Sequence, residues 1–256
     1  MTKPAPIFIH FSLHITFILF LNHANSQLDY NINGTVPLFI CNLKNLTTFG
    51  VHNTSFHSTE FLRALYNCSK LKILDLSQNY FYGAIPNDIH RMSRLRDLNL
   101  GVIESFLPEI GNLSNLEELG LAYNSKIVPP LPSEFGKLKK LKFLWMVGTN
   151  LIREIPNTIG EMAVLEHLDL SENSLTGKIL GKLPEILAWS LTRLEMNNNM
   201  FLGKIPWRVS SSKILLVLMA SNNLFNGTIP RDFSRLTILL VDRNQVSGSL
   251  PSDINS

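Results

Sequence analysis

The stretch "LDLSQNYFYGAIP" (residues 74–86) returns in near-copy three times: "LDLSENSLTGKIL" (168–180), "LEMNNNMFLGKIP" (194–206) and "LMASNNLFNGTIP" (218–230). Working outward from it and aligning on the first leucine of each copy gives coil starts at Leu46, Leu71, Leu95, Leu116, Leu141, Leu165, Leu191, Leu215 and Leu236, spaced 21 to 26 residues apart. A period of this length marks a stacked array rather than an ordinary globular domain. Each coil opens on a short alternation such as Leu74-Asp75-Leu76, which fits one strand of a parallel sheet with its leucines turned inward. Burying one such leucine is worth roughly 1.5–3 kcal/mol, but a single coil cannot cover its own flank, so successive coils must stack.

Eight residues after the first leucine comes an asparagine: Asn79, Asn124, Asn173, Asn199, Asn223 and Asn244. There the chain leaves the strand and turns inward, which strands backbone N–H and C=O groups. A carboxamide both donates and accepts, so stacked asparagines are expected to form a structural ladder rather than a catalytic set. A glycine four residues later (Gly83, Gly177, Gly203, Gly227, Gly248) permits a tight path, and the following Ile-Pro fills the core and ends regular pairing.

The consensus LxxLxLxxNxLxGxIP, with "IGNLSNL" at 110–116, resembles the plant-specific class of leucine-rich repeat over about residues 31–256. More narrowly, "NLEELGLAYNSK" (115–126) and "FGKLKKLKFLWMVGTNL" (135–151) resemble the ectodomains of HAESA-like receptor kinases. The resemblance implies an α/β fold: a leucine-rich-repeat solenoid, a right-handed superhelix with a concave parallel β-sheet and an irregular or 3-10 convex side. It also implies recognition of small secreted peptides on the concave face, with a leucine-rich-repeat co-receptor as a further partner.

Composition agrees with a packed chain, because 45% hydrophobic against 17% charged residues supplies a continuous core. A formal charge of +3 gives no reason to expect nucleic acid as a partner. Residues 1–26 read as a secretory signal peptide: Lys3, an apolar run over 7–21, then Ala24-Asn25-Ser26 before a cut near Gln27. The expected compartment is the secretory pathway and the extracellular space or apoplast, where the resembling receptors are anchored in the plasma membrane. Glycosylation acceptors follow at Asn33, Asn45, Asn53, Asn67, Asn112 and Asn226. Cys41 and Cys68 fall two columns apart in the strand register, so the reading favours a small buried hydrophobe and a spare thiol over a bridge.

The expected organisation is a signal peptide (1–26), a partial and uncapped first repeat (27–45), and about nine coils (46–256) with the last incomplete. No cysteine-paired amino-terminal cap, membrane span or kinase signature is found, so a fragment or truncated gene is expected. The coil holding Asn53 is irregular, with Phe61 in the proline slot, and "VIESFLPEIG" (102–111) lacks its asparagine.

In strand register, positions two, four, six and seven after the first leucine face outward. Trp145 stands out in this set. The register sets Phe143 and Val147 beside it, Tyr123 in the coil before, and His167 and Asp169 in the coil after, with Gly120 leaving space next to the indole. Arg193, Glu195, Asn197, Asn198, Asp242 and Arg243 follow as groups able to orient a peptide. The candidate ligand-binding set is therefore Tyr123, Phe143, Trp145, Val147, His167, Asp169, Arg193 and Glu195. Large aromatics on a strand's solvent side commonly anchor interfaces. No second His or Cys stands at ligand spacing to His167, so no metal and no cofactor is expected, and Asp169 and Glu195 read as a solvated acidic face. The expected function is peptide or protein recognition without catalysis. A secreted inhibitor of a cell-wall hydrolase, the polygalacturonase-inhibitor type, is the alternative, and two unpaired cysteines argue against it.

Overall fold

The computed structural model describes residues 7–11, 15–19, 38–50, 61–77, 85–101, 108–124, 129–179, 190–205, 214–229 and 236–249. Among them one nine-stranded parallel sheet dominates, each strand paired with the strand of the next coil. Its members, in chain order, are Thr48–Gly50, Ile73–Leu76, Asp97–Leu100, Glu118–Gly120, Phe143–Trp145, His167–Asp169, Arg193–Glu195, Val217–Met219 and Ile238–Leu240. Every one of these strands begins two residues after a coil start read from the sequence.

The register is unbroken: Leu74, Leu98, Leu119, Leu144, Leu168, Leu194, Leu218 and Leu239 pair across neighbouring strands in one row. From Leu74 to Leu218 this row is 0–2% exposed, so the period-two alternation is spent on one shared core. Opposite the sheet, short 3-10 helices at Ile89–Arg91, Pro108–Asn112, Ser133–Lys137 and Asn157–Glu161 close the coils that start at Leu71, Leu95, Leu116 and Leu141. They pack closely because the "IG" element keeps the backbone bare: a β-carbon on Gly111 would lie 2.3 Å from the Glu134 carbonyl oxygen. The result is the leucine-rich-repeat solenoid that the motif implied.

The Gly-x-Ile-Pro element also builds strands of its own. Ile152–Glu154 pairs in parallel with Ser174–Thr176, and Leu202–Lys204 with Leu224–Gly227 and Gln245–Val246, as two small flanking sheets. Gly177 enters this turn at φ 83°, in the left-handed region. The equivalent place in the Leu141 coil is held by Arg153 at φ 70°, a conformation that strains any residue with a β-carbon.

At the amino-terminal end the expectation of two unpaired cysteines is wrong: Cys41 and Cys68 form a disulfide. The strand register was the wrong ruler for them. Cys41 lies in the 3-10 helix Leu38–Asn42, and Cys68 follows the α-helix Phe61–Leu65, so both sit on the arc between strands. Phe61, read as an irregular proline-slot residue, opens that helix. The bridge ties the partial first repeat to the coil after it. Within the segment read as a signal peptide, Ile7–Phe11 and Ile15–Leu19 pair antiparallel, and the cut site near residue 26 lies outside the described residues. No helix of the described residues is long and apolar enough to cross a membrane.

Candidate functional site

The asparagine column shows what fixes the strand-to-turn corner. Asn199 Nδ2 donates to the carbonyls of Leu170 (2.9 Å), Asn197 (3.1 Å) and Met196 (3.3 Å), while its Oδ1 accepts from Leu175 N at 3.0 Å. Asn223 and Asn244 repeat the pattern one and two coils on, their Oδ1 atoms accepting from Phe201 N and Phe225 N, each at 3.1 Å. Asn173 donates to Met146 O and Leu170 O and accepts from Leu151 N, and Asn124, fully buried, donates to Leu121 O. Asn79 lies outside the described residues. In the Leu141 coil the buried Thr149 takes the place of the asparagine, its Oγ1 lying 2.9 Å from Met146 O and 3.1 Å from Asn173 Oδ1. Each amide thus serves the backbone of its own coil and of a neighbour.

With the corners pinned, the inner face of the sheet is set residue by residue. Phe143 and Trp145 project from one strand as half-buried rings, stacked at 5.4 Å between centroids and 17° between planes. His167 of the next strand stands edge-on to both, its centroid 5.7 Å from Trp145 and 6.5 Å from Phe143. Trp145 Nε1 donates to His167 Nδ1 at 3.2 Å, and His167 Nε2 meets Glu195 Oε1 at 3.0 Å. Arg193 Nε closes the chain on the same Glu195 oxygen. The sequence placed Trp145 outward in strand register, and it belongs to this face rather than to the interior.

The electrostatics follow from this geometry. Burial alone would raise the Glu195 carboxyl, but the Arg193 hydrogen bond and charge, with His167 beside it, hold it below the ordinary carboxylate range. Asp169 moves the other way: burial pushes it up, against the pull of its bond from Ser171 N at 2.9 Å. One ligand atom each from His167, Asp169 and Glu195 lies within 4.8 Å of the others. Strand register places the three on neighbouring strands, but the closeness of their ligand atoms depends on side-chain rotation. Trp145 and Glu195 already engage both imidazole nitrogens, and Arg193 sits on the same Glu195 oxygen that His167 meets.

The structure therefore joins Phe143, Trp145, His167, Glu195 and Arg193, with Asp169 alongside. Val147 is half-buried further along the same coil, and its carbonyl accepts from Tyr123 N at 2.6 Å. Tyr123 is 67% exposed and stands over Gly148, where a β-carbon would meet its Cδ1 at 3.0 Å. The space expected at Gly120 is filled: Asn99 Oδ1 lies 1.9 Å from where a β-carbon would be. Asn197 Oδ1 accepts from Ser221 N at 2.9 Å, and Asn198 Oδ1 from Asn222 Nδ2 at 2.8 Å, so these amides brace the sheet's rim. Of the glycosylation acceptors, Asn45, Asn67, Asn112 and Asn226 are exposed, and Asn33 and Asn53 lie outside the described residues.

A stack of strand, asparagine corner and 3-10 arc, with an open aromatic and charged inner sheet, defines the class of leucine-rich-repeat binding scaffolds. The leucine-rich repeat region family matches residues 51–201, more than half of the sequence, and the chain belongs to that family. Receptor like protein 27 of Arabidopsis thaliana is 32% identical over 193 residues, covering 72% of this chain and 23% of that protein. The chain thus spans about a quarter of that relative's length. Among solved structures, the plant peptide hormone receptor RGFR1 in complex with RGF2 superposes with a TM-score of 0.73 and 26% identity, over 86% of this chain and 36% of that one. The Arabidopsis receptor kinase HAESA ectodomain in complex with an amino-terminally extended IDA peptide hormone gives 0.70 and 28%, over 85% and 41%.

Proposed function

We propose that this chain is an extracellular recognition module of the plant receptor kind, and that its inner sheet face takes a secreted peptide or protein ligand. The observation that carries the reading is the stacked Phe143–Trp145 pair, held on the solvent side of the sheet by the His167–Glu195–Arg193 hydrogen-bond chain. Aromatic side chains in such positions bury about 150–250 Å² each when a partner covers them, and a locked indole loses little conformational freedom on binding. Support comes from the fold shared with RGFR1 and HAESA, both solved with peptide hormones. The HAESA-like grouping, a leucine-rich-repeat co-receptor as second partner, secretion behind the 1–26 leader and glycans on the asparagine acceptors belong to the same reading.

Recognition here needs no reaction chemistry. The Glu195 carboxylate is committed to Arg193 and His167, and Asp169 to the Ser171 backbone. The test uses an array of synthetic 12-residue peptides probed with the secreted chain and with Trp145→Ala. Wild type should retain a subset that the variant loses while its circular dichroism is unchanged. Retention of the same peptides by both proteins would overturn the assignment.

A further inference from the structure

The inner face is not electrically uniform, and its asymmetry bears on what it takes. On the amino-terminal side of the Phe143–Trp145 plate, Glu118 is the direct cross-strand neighbour of Phe143, and Asp97 is that of Glu118. Two carboxylates opposite one another in a parallel pair repel. The nearby cations offset them only in part: Arg96 and Lys142 pull on Asp97 and Glu118 through charge, but both make their ion pairs with Glu117, at 3.2 Å and 3.5 Å. Among the described residues no ion pair reaches Asp97 or Glu118. On the carboxy-terminal side Arg193 neutralises Glu195, and Asp169, the cross-strand neighbour of Trp145, accepts from the Ser171 backbone N–H.

We propose that the ligand is an extended peptide carrying a basic side chain over the Asp97–Glu118 pair and an apolar side chain over the Phe143–Trp145 plate. This rests on the reading of the inner face as the ligand-binding surface and names the chemistry that the face selects. Spacing sets the register. Neighbouring strands lie about 4.8 Å apart, so the midpoint of the acidic pair falls roughly 7 Å from the plate. Side chains on one side of an extended peptide recur every two residues, about 6.7 Å, so the lysine or arginine and the apolar residue stand at i and i+2. Burial, together with the neighbouring carboxylates, holds both Asp97 and Glu118 above the ordinary carboxylate range, and a bound cation would reverse that cost.

The same synthetic 12-residue array tests this when it includes peptides with Lys, Gln or Glu placed two residues from Pro, Leu or Phe. Wild type should retain the Lys-bearing members about five- to ten-fold better than their Gln counterparts, with the preference shrinking as salt rises. The Asp97→Asn, Glu118→Gln double variant should keep the apolar preference and lose the Lys preference. Equal retention of Lys and Gln peptides by wild type, with Trp145→Ala still abolishing retention, would overturn the cationic ligand and leave the binding face standing. Retention indifferent to Trp145→Ala would sink the underlying reading instead.

Discussion

Trp145 Nε1 donates to His167 Nδ1 at 3.2 Å, and since an indole N–H can only donate, this bond leaves that imidazole nitrogen bare and puts the ring proton on Nε2, facing Glu195. The indole is thereby coupled to the acid–base pair two strands away. Long-range 1H–15N spectra should show the proton of the neutral His167 ring on Nε2. Trp145→Phe, which keeps a ring and removes the donor, should cost about 1 kcal/mol in denaturant unfolding. An Nδ1–H tautomer in the wild-type protein would contradict the network.

The ladder makes Asn199 a structural residue. Replacing it with Ala strands the Leu175 N–H and the carbonyls of Leu170, Met196 and Asn197 in a buried corner, where the side chain is 8% exposed. A loss of about 2–4 kcal/mol is expected in urea titration, and Asn199→Thr should fall between, because Thr149 already serves one corner with a single hydroxyl.

Arg153 occupies a left-handed position at φ 70° where other coils use glycine. Arg153→Gly should therefore stabilise the chain by about 1 kcal/mol, read as a raised urea midpoint at unchanged slope. A lower midpoint would show that its side chain contributes more than its backbone costs.

Cys41 and Cys68 close a loop with a sequence separation of 27. Chain-entropy reasoning gives about 3–4 kcal/mol for a loop of that size. Reduction, or the Cys41→Ser, Cys68→Ser double variant, should lower stability by that order and raise hydrogen exchange first around residues 38–50 and 61–76.

The acidic pair sets a pH dependence. Burial first, and neighbouring carboxylates second, raise Asp97 and Glu118, so the folded chain holds protons that the unfolded chain has released. Stability contributed by these groups is therefore present at low pH and declines as pH rises through a window just above the ordinary carboxylate range. Glu195, held low, acts oppositely and only at more acidic pH. Thermal melts of Asp97→Asn, Glu118→Gln across this window should lack the wild-type decline.

Much of the scaffold was legible in the sequence. Where the period is set by apolar burial, as at Leu74, Leu119 or Leu168, the nine strands start where the leucines say they do. The asparagine corners were readable for a related reason: the turn creates a fixed demand for a group that both donates and accepts. Legibility fails where a contact depends on the arc between strands rather than on the strand register. The Cys41–Cys68 bridge joins two such arcs, and the flanking sheets arise from a segment whose sequence reads only as a glycine turn. Thr149 is not legible as a corner residue because its role needs a hydroxyl in place rather than an amide in the alignment. At the site, columns two and four put Trp145, His167 and Glu195 side by side, but which nitrogen meets which oxygen depends on side-chain rotation that no period encodes. The room expected beside Gly120 was lost to Asn99 from the adjacent strand.

The most direct test of the account is the emission of Trp145 itself. With Trp189→Phe and Trp207→Phe leaving a single indole, titration with an array-selected Lys-containing peptide should shift the emission saturably to the blue, as the half-exposed ring is covered. Saturable peptide binding with the Trp145 spectrum unmoved would place the ligand elsewhere and contradict the assignment of the inner face.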